Sequence, residues 1–380
     1  MLYNDFQGKQ ISRYGFGAMR LPTIGGDDSK IDIPQTKQMV ADAMAAGVNY
    51  YDTGYDYHGG NSESVLGAAL ADYPRESFYF ADKWPGYNRA NFGRAAEIFE
   101  QQLARSGMGY FDFYMLHNVC ELNIDLYLAE EKYGTVAYLL EQKAAGRIKH
   151  FGFSAHGNID TIRRILDRFG EHFEFCQLQV NWLDWDFQQA REKVELYREH
   201  GLPVIVMEPL RGGKLARLSD SEMARLEELR PGVSGVEWSF DFLKGIDGIA
   251  TVLSGASSIE QAHDNIRIFS EDTKLTDEQL AALAELATEM TSVDSVPCTA
   301  CKYCINHCPM ELDIPWLIEL WNEHRFTGSH GFITPMALGG LPEDKRPAAC
   351  IGCKTCEEFC PQQIAIADVL AEFAENVSAW

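Results

Sequence analysis

Residues 112–117 read DFYMLH, residues 135–146 read TVAYLLEQKAAG, and residues 150–155 read HFGFSA. The two outer runs are short and apolar, as buried strands are, whereas the middle run has helical apolar spacing and ends at a glycine. A strand, a helix and a second strand in this order predict a βαβ unit with parallel strands.

The same alternation runs through most of the chain, with amphipathic segments such as TKQMVADAMAAG and SIEQAHDNIRIF between the apolar runs. The eight runs are RYGFGAM, VNYYDT, FYFADKW, DFYMLH, HFGFSA, FCQLQVN, PVIVME and IATVLSG. Eight parallel strands at this spacing in about 270 residues predict an α/β fold, a closed (β/α)8 TIM barrel rather than an open sheet. We also predict a β-hairpin at MLYNDFQGKQIS that caps the barrel bottom, and an extra helix at LTDEQLAALAELATEM.

The length of 380 residues is enough for a large α/β domain and a small second domain. We place the barrel at residues 1–291 and the second domain at residues 292–380. The 33 Lys and Arg against 56 Asp and Glu give a formal net charge of −23, which disfavours nucleic acid and anionic membranes as partners. An acidic surface suits docking to a basic redox partner. The start, MLYNDFQGKQ, lacks the regions of a signal peptide, so we expect a cytoplasmic protein.

Eight of the ten cysteines form two copies of one pattern. The stretches VPCTACKYCINHCP, from Val296, and AACIGCKTCEEFCP, from Ala348, both read C-x-x-C-x-x-C-x-x-x-C-P. Three thiolates at this spacing can hold three corners of a cubane, while the fourth serves the other cluster. We therefore predict two [4Fe-4S] clusters, held by two sets of ligands: Cys298, Cys301, Cys304 and Cys360; and Cys350, Cys353, Cys356 and Cys308.

Zinc would need only paired C-x-x-C ligands, without the third and fourth cysteines or Pro309 and Pro361. This part of the chain resembles the dicluster ferredoxins. The connector over residues 310–349 is longer than the hairpin of small bacterial ferredoxins, and LDIPWLIELWNEHRF has helical spacing, which favours the helical variety. Cys120 and Cys176 lie outside both motifs and are interpreted as buried structural thiols.

Four polar residues lie at or beyond the ends of predicted strands. Asp52 and Tyr57 follow the second apolar run, Lys83 lies in the third and His117 ends the fourth. A barrel of this kind has its chemistry at the carboxyl ends of the strands. Each residue alone has a structural explanation, as a helix cap, a packed ring, a solvated charge or a core histidine. Four suitable types at one rim nevertheless predict a catalytic group.

The chain resembles the aldo-keto reductase superfamily, whose Asp, Tyr, Lys and His tetrad occupies these strand ends. The motifs that carry the resemblance are YYDTGYDYHGGNSESVLG, FADKWP, YMLHN, HFGFSAHG, CQLQVN, PLRGGKLA and GASSIEQAHDN, over roughly residues 1–290. The whole chain looks like the branch of that superfamily with a ferredoxin-like tail. The resemblance implies an oxidoreductase that interconverts a small-molecule carbonyl and an alcohol with NAD(H) or NADP(H).

The tetrad has an expected division of roles. Tyr57 is the expected acid, because a carbonyl accepts hydride easily only when its oxygen is protonated. Lys83 is expected to lower the Tyr57 pKa toward the working pH, and Asp52 to hold Lys83 in place. His117 is expected to donate a hydrogen bond to the substrate oxygen.

No Rossmann glycine fingerprint is present, so a nicotinamide cofactor must bind differently. By resemblance it lies extended across the barrel mouth. Its expected contacts are Ser154 and Gln177 at the carboxamide, Leu210, Gly212 and Lys214 at the pyrophosphate, and Ser257, Gln261 and Asn265 around the adenosine.

Three positions depart from the family pattern. Ala155 stands where the family usually has Asn, so one carboxamide hydrogen bond is lost unless His156 replaces it. Met207 stands where an aromatic ring commonly stacks on the nicotinamide. The segment GASSIEQ lacks the Arg or Lys that often pairs with the 2′-phosphate, so we expect NADH to be tolerated or preferred.

The two halves of the chain move electrons differently. Clusters move single electrons and a nicotinamide moves two as a hydride, so a flavin normally bridges them, and the barrel mouth could hold one. One hypothesis is a nicotinamide oxidoreductase whose clusters exchange electrons with a redox protein partner. The other is an electron-transfer module whose barrel docks or senses; the clusters could also be structural staples. The intact tetrad favours the first hypothesis, and two clusters imply oxygen sensitivity and an anaerobic host.

Overall fold

The computed structural model describes residues 1–292, 295–298, 301–328 and 331–378. Its strands are β1 (Tyr3–Phe6), β2 (Lys9–Ser12), β3 (Tyr14–Gly17), β4 (Tyr50–Asp52), β5 (Tyr79–Trp84), β6 (Phe111–Val119), β7 (Ile148–Ala155), β8 (Phe175–Gln179), β9 (Val204–Met207) and β10 (Ile249–Gly255). Its helices are α1 (Ile33–Ala45), α2 (Ser62–Leu70), α3 (Ala95–Ser106), α4 (Ile124–Leu128), α5 (Glu130–Tyr133), α6 (Thr135–Ala144), α7 (Ile159–Phe169), α8 (Asp184–Phe187), α9 (Ala190–Glu199), α10 (Asp220–Leu229), α11 (Gly235–Lys244), α12 (Ile259–Ile268), α13 (Asp277–Ser292), α14 (Ile314–Thr327), α15 (Ile333–Gly340) and α16 (Ile366–Val377). Within these described ranges, no helix has both the length and the apolarity to cross a membrane.

In the described part of the chain, β3 to β10 close a barrel in the order β10-β3-β4-β5-β6-β7-β8-β9. All neighbouring strands in it are parallel; Lys83 of β5, for example, lies opposite Met115 of β6. Parallel neighbours need a crossover, and α6 supplies it between β6 and β7. The predicted (β/α)8 barrel is confirmed, and its parallel strands bring all their carboxyl ends to one rim.

The N-terminal hairpin closes the opposite end of the barrel, as predicted. β1 pairs with β2 in antiparallel fashion, and the two-residue turn between them has positive φ at Gln7 (52°) and Gly8 (81°). Such a turn matches the twist of a hairpin, and glycine adopts its second position without strain. Phe6 packs edge-on against Phe113 near the start of β6, with ring centroids 5.1 Å apart. It belongs to a buried cluster that fills this end of the barrel.

Helix boundaries follow local capping chemistry. Asn158 accepts a hydrogen bond from the Thr161 amide, which satisfies a free N–H at the start of α7. At the other end of a helix, α3 terminates at Gly107, whose φ of 68° is the left-handed conformation that glycine adopts easily. The extra helix predicted at LTDEQLAALAELATEM is present as α13.

The chain divides into two compact units. The first comprises Met1–Val119 and Ile124–Ala284, and the second comprises Cys120–Asn123 and Glu285–Trp380. The second unit is built on helices and has its own core, in which Trp321 of α14 packs against Phe373 of α16 at a centroid distance of 5.1 Å. The connector expected to be helical contains α14 and α15. The predicted domain boundary between residues 291 and 292 stays a prediction.

The two cysteines outside the motifs are free thiols with no exposed surface. Burial raises the pKa of Cys120 to about 12 and that of Cys176 well above its ordinary value. A thiol that stays protonated is a poor nucleophile and a poor metal ligand. Their interpretation as buried structural thiols agrees with this environment.

Candidate active site and cluster pockets

The four predicted catalytic residues meet at the carboxyl rim of the barrel. Asp52 is the last residue of β4, and Tyr57 begins the 3-10 turn that follows. Lys83 is the next-to-last residue of β5, and His117 lies near the end of β6. The Lys83 ammonium lies 4.9 Å from the centre of the Tyr57 ring, and the rings of Tyr57 and His117 meet edge to face at 5.8 Å.

Lys83 and Asp52 form a buried ion pair at the centre of this group. Lys83 is fully buried, and its Nζ donates to Asp52 Oδ1 and to the Thr53 carbonyl, both at 2.5 Å. Gln177 donates to the second Asp52 oxygen at 3.2 Å. Burial raises the pKa of Asp52, and the Lys83 charge opposes that rise. Burial alone would lower the pKa of Lys83, but Asp52, together with Tyr57 and Asp82, more than offsets this, so the pKa of Lys83 is raised. Each charge of the pair therefore offsets part of the cost of burying the other.

Tyr57 is held tightly against the strand end. A methyl group added at Gly54 would lie 3.0 Å from the Tyr57 Cζ atom, so the ring packs directly on the Gly54 backbone. Burial raises the pKa of Tyr57, and the nearby Lys83 charge lowers it by less than burial raises it. Lys83 lowers this pKa, as expected, but burial outweighs its effect, so the pKa of Tyr57 stays above its ordinary value, because the phenolate loses more solvation than one ammonium restores.

His117 is a neutral imidazole in this site. Burial, the Lys83 charge and His156 together hold its pKa well below the ordinary value. Its Nδ1 atom has no hydrogen-bond partner among the described residues. The ring also packs edge-on against Tyr87 at 5.1 Å. A neutral imidazole donates a hydrogen bond from one of its nitrogens, as the expected role of His117 requires, and the contacts with the Tyr57 and Tyr87 rings hold it in place.

A second layer of polar residues behind β5 was not anticipated from the sequence. Asp82 and Glu63 are fully buried carboxyls that interact electrostatically, and Asp82 Oδ1 also accepts a hydrogen bond from the Lys83 amide at 2.8 Å. Burial and the Glu63 charge raise the pKa of Asp82 well above its ordinary value, which favours its protonated form. Gln102 donates to Glu63 and to the Lys83 carbonyl, both at 3.0 Å. These contacts fix the backbone that carries Lys83. In the sequence, the acidic residue directly before Lys83 was the feature that could have indicated this second layer.

His58 joins the Tyr57 turn to the loop after β3. The Leu21 amide donates to His58 Nε2 at 3.1 Å, so the other ring nitrogen, Nδ1, carries the hydrogen and donates to the Asp28 carbonyl at 2.9 Å. His58 is 3% exposed and has a positive φ of 55°, an uncommon conformation for a residue with a side chain. The sequence motifs predicted no role for His58, although it directly follows the tetrad tyrosine.

The two residues expected at the carboxamide lie beside the tetrad. Ser154, near the end of β7, is fully buried, and its Oγ accepts a hydrogen bond from the Asn118 amide at 2.7 Å. Gln177 of β8 contacts Asp52, as described above. Ala155 is buried, and His156 is held neutral by burial and Lys193, with its pKa lowered to about 4. These uncharged donors and acceptors suit an amide group, so the site fits a nicotinamide ring next to the tetrad.

The residues expected at the pyrophosphate form a turn after β9. Gly212 has a φ of 64° and lies in a 3-10 turn that begins directly after Leu210. Its amide donates to the Glu208 carboxylate at 2.5 Å. Lys214 caps the same turn and is exposed. The turn thus offers backbone donors to a phosphate only where Glu208 does not use them.

A buried ion pair that the sequence analysis did not identify supports this turn. Arg211 Nε donates to both oxygens of Asp184, at 2.9 and 3.1 Å, and the two residues are 8% and 0% exposed. Asn181 donates to Asp184 Oδ2 at 2.7 Å and to the Glu208 carbonyl at 3.0 Å. Arg211 lies in the stretch LRGG, and Asn181 and Asp184 lie in the stretch NWLDW. Their burial could not be predicted from these stretches, because it depends on contacts between distant loops.

The residues expected at the adenosine lie where β10 leads into α12. Ser257 is exposed, its amide donates to Gln261 Oε1 at 2.8 Å, and its hydroxyl donates to the Arg20 carbonyl at 2.9 Å. Asn265 is 4% exposed and donates to Ser254 at 3.2 Å. Seven of the eight expected cofactor contacts therefore lie at or beyond the carboxyl ends of their strands, while Gln177 lies in the middle of β8, and the roles of all eight stay predictions.

The cysteines of the two motifs line two pockets in the described part of the second unit. One pocket is lined by Cys308, Cys350, Cys353 and Cys356, and the other by Cys298, Cys301, Cys304 and Cys360. Each contains about 310 Å³ of space outside atoms, open solvent included. Each therefore draws one cysteine from the other motif, in the grouping predicted from the spacing. Among the described side chains, no three Cys, His, Asp or Glu converge on a site for a single metal ion. Four thiols spaced around a cavity fit a polynuclear cluster.

Comparison with known proteins assigns both parts of the chain. Residues 13–288 match the model of the aldo/keto reductase family. The chain belongs to this family. Residues 297–365 match the model of a 4Fe-4S dicluster domain. The aldo/keto reductase match covers the barrel that carries the tetrad, and the dicluster match covers both cysteine motifs.

Several aldo/keto reductase relatives have similar sequences. An uncharacterised oxidoreductase of Bacillus subtilis (strain 168), YqkF, is 25% identical over 308 residues, which are 72% of this chain and 92% of that protein. The NADH-specific methylglyoxal reductase of Escherichia coli (strain K12) is 27% identical over 325 residues, 73% of this chain and 95% of that protein. The holo form of an aldo-keto reductase from Bacillus halodurans superposes with a TM-score of 0.62 at 26% identity, covering 75% and 96% of the two chains.

Proposed function

We propose that this aldo/keto reductase interconverts a small-molecule carbonyl and an alcohol by hydride transfer with a nicotinamide cofactor. The observation that carries the proposal is the buried Lys83–Asp52 ion pair, which lies against the face of Tyr57 while His117 meets the edge of the same ring. A phenol, an ammonium and an imidazole at one rim of a barrel are the groups needed to manage a proton on a carbonyl oxygen.

Tyr57 donates the proton to the developing alkoxide in reduction and takes it back in oxidation. Burial keeps the Tyr57 hydroxyl protonated at neutral pH, which suits the acid role. Proton transfer leaves Tyr57 as a phenolate, whose ring centre lies 4.9 Å from the Lys83 ammonium. The ammonium charge stabilises the phenolate. Asp52 keeps Lys83 charged although the ammonium is fully buried.

His117 binds the substrate oxygen. A neutral imidazole donates a hydrogen bond without competing with Tyr57 for the transferred proton. One well-aimed donor to a developing oxyanion contributes about 10²-fold or more to the rate. The edge contacts with Tyr57 and Tyr87 fix the orientation of the imidazole ring.

The nicotinamide supplies the hydride when it is bound. In this proposal Ser154 and Gln177 hold its carboxamide, Leu210, Gly212 and Lys214 lie at the pyrophosphate, and Ser257, Gln261 and Asn265 surround the adenosine. The E. coli relative is named as NADH-specific, which agrees with the expectation that this chain tolerates or prefers NADH.

We further propose that the two cysteine pockets hold one [4Fe-4S] cluster each, and that these clusters exchange electrons with a redox protein partner. The support is the grouping of four thiols around each pocket and the match to a dicluster domain. Anaerobic titration with NADH, followed by cluster absorbance, tests the electron path. Loss of cluster absorbance on addition of NADH would mean that electrons pass from the barrel to the clusters, and a bridging flavin should then be sought. If protein that binds NADH keeps its cluster absorbance, the proposed electron transfer is rejected.

The decisive experiment on the barrel is Tyr57→Phe, with Tyr55→Phe as the matched control. Both variants remove one hydroxyl from the same loop, but the Tyr55 hydroxyl donates to Gln101 and is not part of the tetrad. With methylglyoxal and NADH as probes, we expect kcat to fall at least about 10²-fold in Tyr57→Phe and to stay near the parent value in Tyr55→Phe. Equal rates in all three proteins would reject the proposed acid.

A further inference from the structure

The turn after β9 already holds a negative charge that belongs to the protein. The Gly212 amide donates to Glu208 Oε2 at 2.5 Å. We propose that the Glu208 carboxylate is an internal anion in the phosphate-binding turn, and that it lowers the affinity of the barrel for the pyrophosphate of a dinucleotide. The inference rests on the proposed function, since the ligand it concerns is the nicotinamide cofactor proposed above.

The backbone of the turn has the form of an anion site. Four of its residues have positive φ: Glu208 (53°), Arg211 (49°), Gly212 (64°) and Gly213 (88°). Backbone N–H groups in such turns face a common concave side and bind anions there. A methyl group added at Gly212 would meet a single atom within 4 Å, the Glu208 carboxylate oxygen. The carboxylate therefore occupies the side of the turn that a phosphate would approach.

The position of Glu208 is built into the fold. Asn181 donates to the Glu208 carbonyl at 3.0 Å, and the Arg211 amide donates to the same carbonyl at 3.1 Å. These two bonds hold the residue in a left-handed conformation that is strained for a residue with a side chain. Asn181 is itself fixed by fully buried Asp184.

The arginine of this turn is buried against Asp184. Both Asp184 oxygens accept hydrogen bonds from the Arg211 Nε, and the side chains of the pair are 0% and 6% exposed. A guanidinium buried on a carboxylate cannot also form a bidentate contact with phosphate.

A pyrophosphate and the Glu208 carboxylate compete for the same donor. The ligand binds only in the fraction of molecules in which Glu208 has left the Gly212 amide, so its apparent affinity is reduced by that fraction. The displaced carboxylate also stays close enough to repel the phosphates. Glu208→Gln keeps an oxygen that can accept from Gly212, so it preserves the turn, but it removes the charge, so it weakens the competition and ends the repulsion of the phosphates.

The test is binding of ADP-ribose and of adenosine to the full-length, cluster-loaded protein by anaerobic calorimetry. The proteins are the parent, Glu208→Gln and the control Glu199→Gln, which removes one exposed carboxylate at the far end of α9. We expect ADP-ribose to bind Glu208→Gln at least about fivefold more tightly than the parent, since one like-charge contact is relieved. Adenosine should bind all three proteins alike, and Glu199→Gln should match the parent.

An ADP-ribose affinity in Glu208→Gln that equals or falls below the parent value overturns the inference, and so does the absence of binding in both. Glu208→Ala is a second variant that loses both the charge and the acceptor; it should also exceed the parent in affinity. The gap between parent and Glu208→Gln should narrow as salt is raised, because salt screens exposed charges. If Tyr57→Phe keeps full activity while this gap is present, the proposed hydride chemistry fails and the internal anion stands.

Discussion

Replacing Lys83 by Met removes the charge around which the tetrad is arranged, and two separate losses follow. The first concerns catalysis. At 4.9 Å, a unit charge stabilises a phenolate by about 0.8 kcal/mol in bulk water and about 3 kcal/mol at an effective dielectric constant near 20. These values correspond to a factor of about 4 to 200 in the Tyr57 acid constant. The Tyr57 pKa therefore rises further, and the pH at which alcohol oxidation accelerates moves upward.

The second loss concerns stability. The Lys83→Met substitution would leave the Asp52 carboxylate buried without its partner, and breaking one side of a buried ion pair costs about 3 to 5 kcal/mol. Chemical denaturation measures this loss, and the pH dependence of kcat measures the first one. The double variant with Asp52→Asn removes the unpaired carboxylate, so it should recover most of the stability and none of the catalysis. A Lys83→Met protein with the parent's stability and an unchanged pH profile would refute the reasoning.

Three further predictions concern pH, the clusters and packing. The His156 pKa is about 4 in the folded protein and 6.5 in the unfolded chain, so the unfolded state alone binds a proton between these values. Stability should fall as pH falls through this range, by up to about 1.4 kcal/mol per pH unit, and His156→Gln should flatten that part of a denaturation series. Cys360→Ser should halve the iron content and remove the cluster of the first motif, whereas Cys308→Ser should remove the cluster of the second motif. Electron spin resonance of the reduced proteins shows which cluster is lost. If each substitution removed the cluster of its own motif instead, the predicted grouping of the cysteines would be contradicted. Gly54→Ala should lower kcat about 10- to 100-fold by displacing the Tyr57 ring, whereas unchanged kinetics would show that the loop absorbs the methyl group.

The barrel could be predicted from the sequence because its signals are local. Each strand is a short apolar run, and each crossover is an amphipathic segment, so the pattern of residues 112–155 already contains the repeating unit. The tetrad could be predicted for a related reason. Once the strands are parallel, residues at their carboxyl ends must meet at one rim, whatever the sequence distance between Asp52 and His117.

The electrostatics of the site could not be predicted in the same way. The pKa of Tyr57 depends on how much water the fold removes, and this quantity is set by every element around the rim rather than by Lys83 alone. The Asp82–Glu63 contact and the Arg211–Asp184 pair likewise join residues from distant segments. In the sequence these charged residues cannot be told from ordinary surface residues, because a sequence pattern does not show how deeply a side chain is buried.

The exchange of one cysteine between the two motifs has a consequence for biosynthesis. The pocket of the first motif includes Cys360, which the ribosome adds only after the three other cysteines of the second motif. A cluster inserted into the nascent first motif would therefore lack one protein ligand, and the scaffold that delivers iron and sulfide must wait for the second motif to emerge. If each pocket holds a cluster, neither set of ligands is complete until the second motif has been synthesised, and a chain truncated between Cys356 and Cys360 would leave only the site of the first motif without its fourth cysteine.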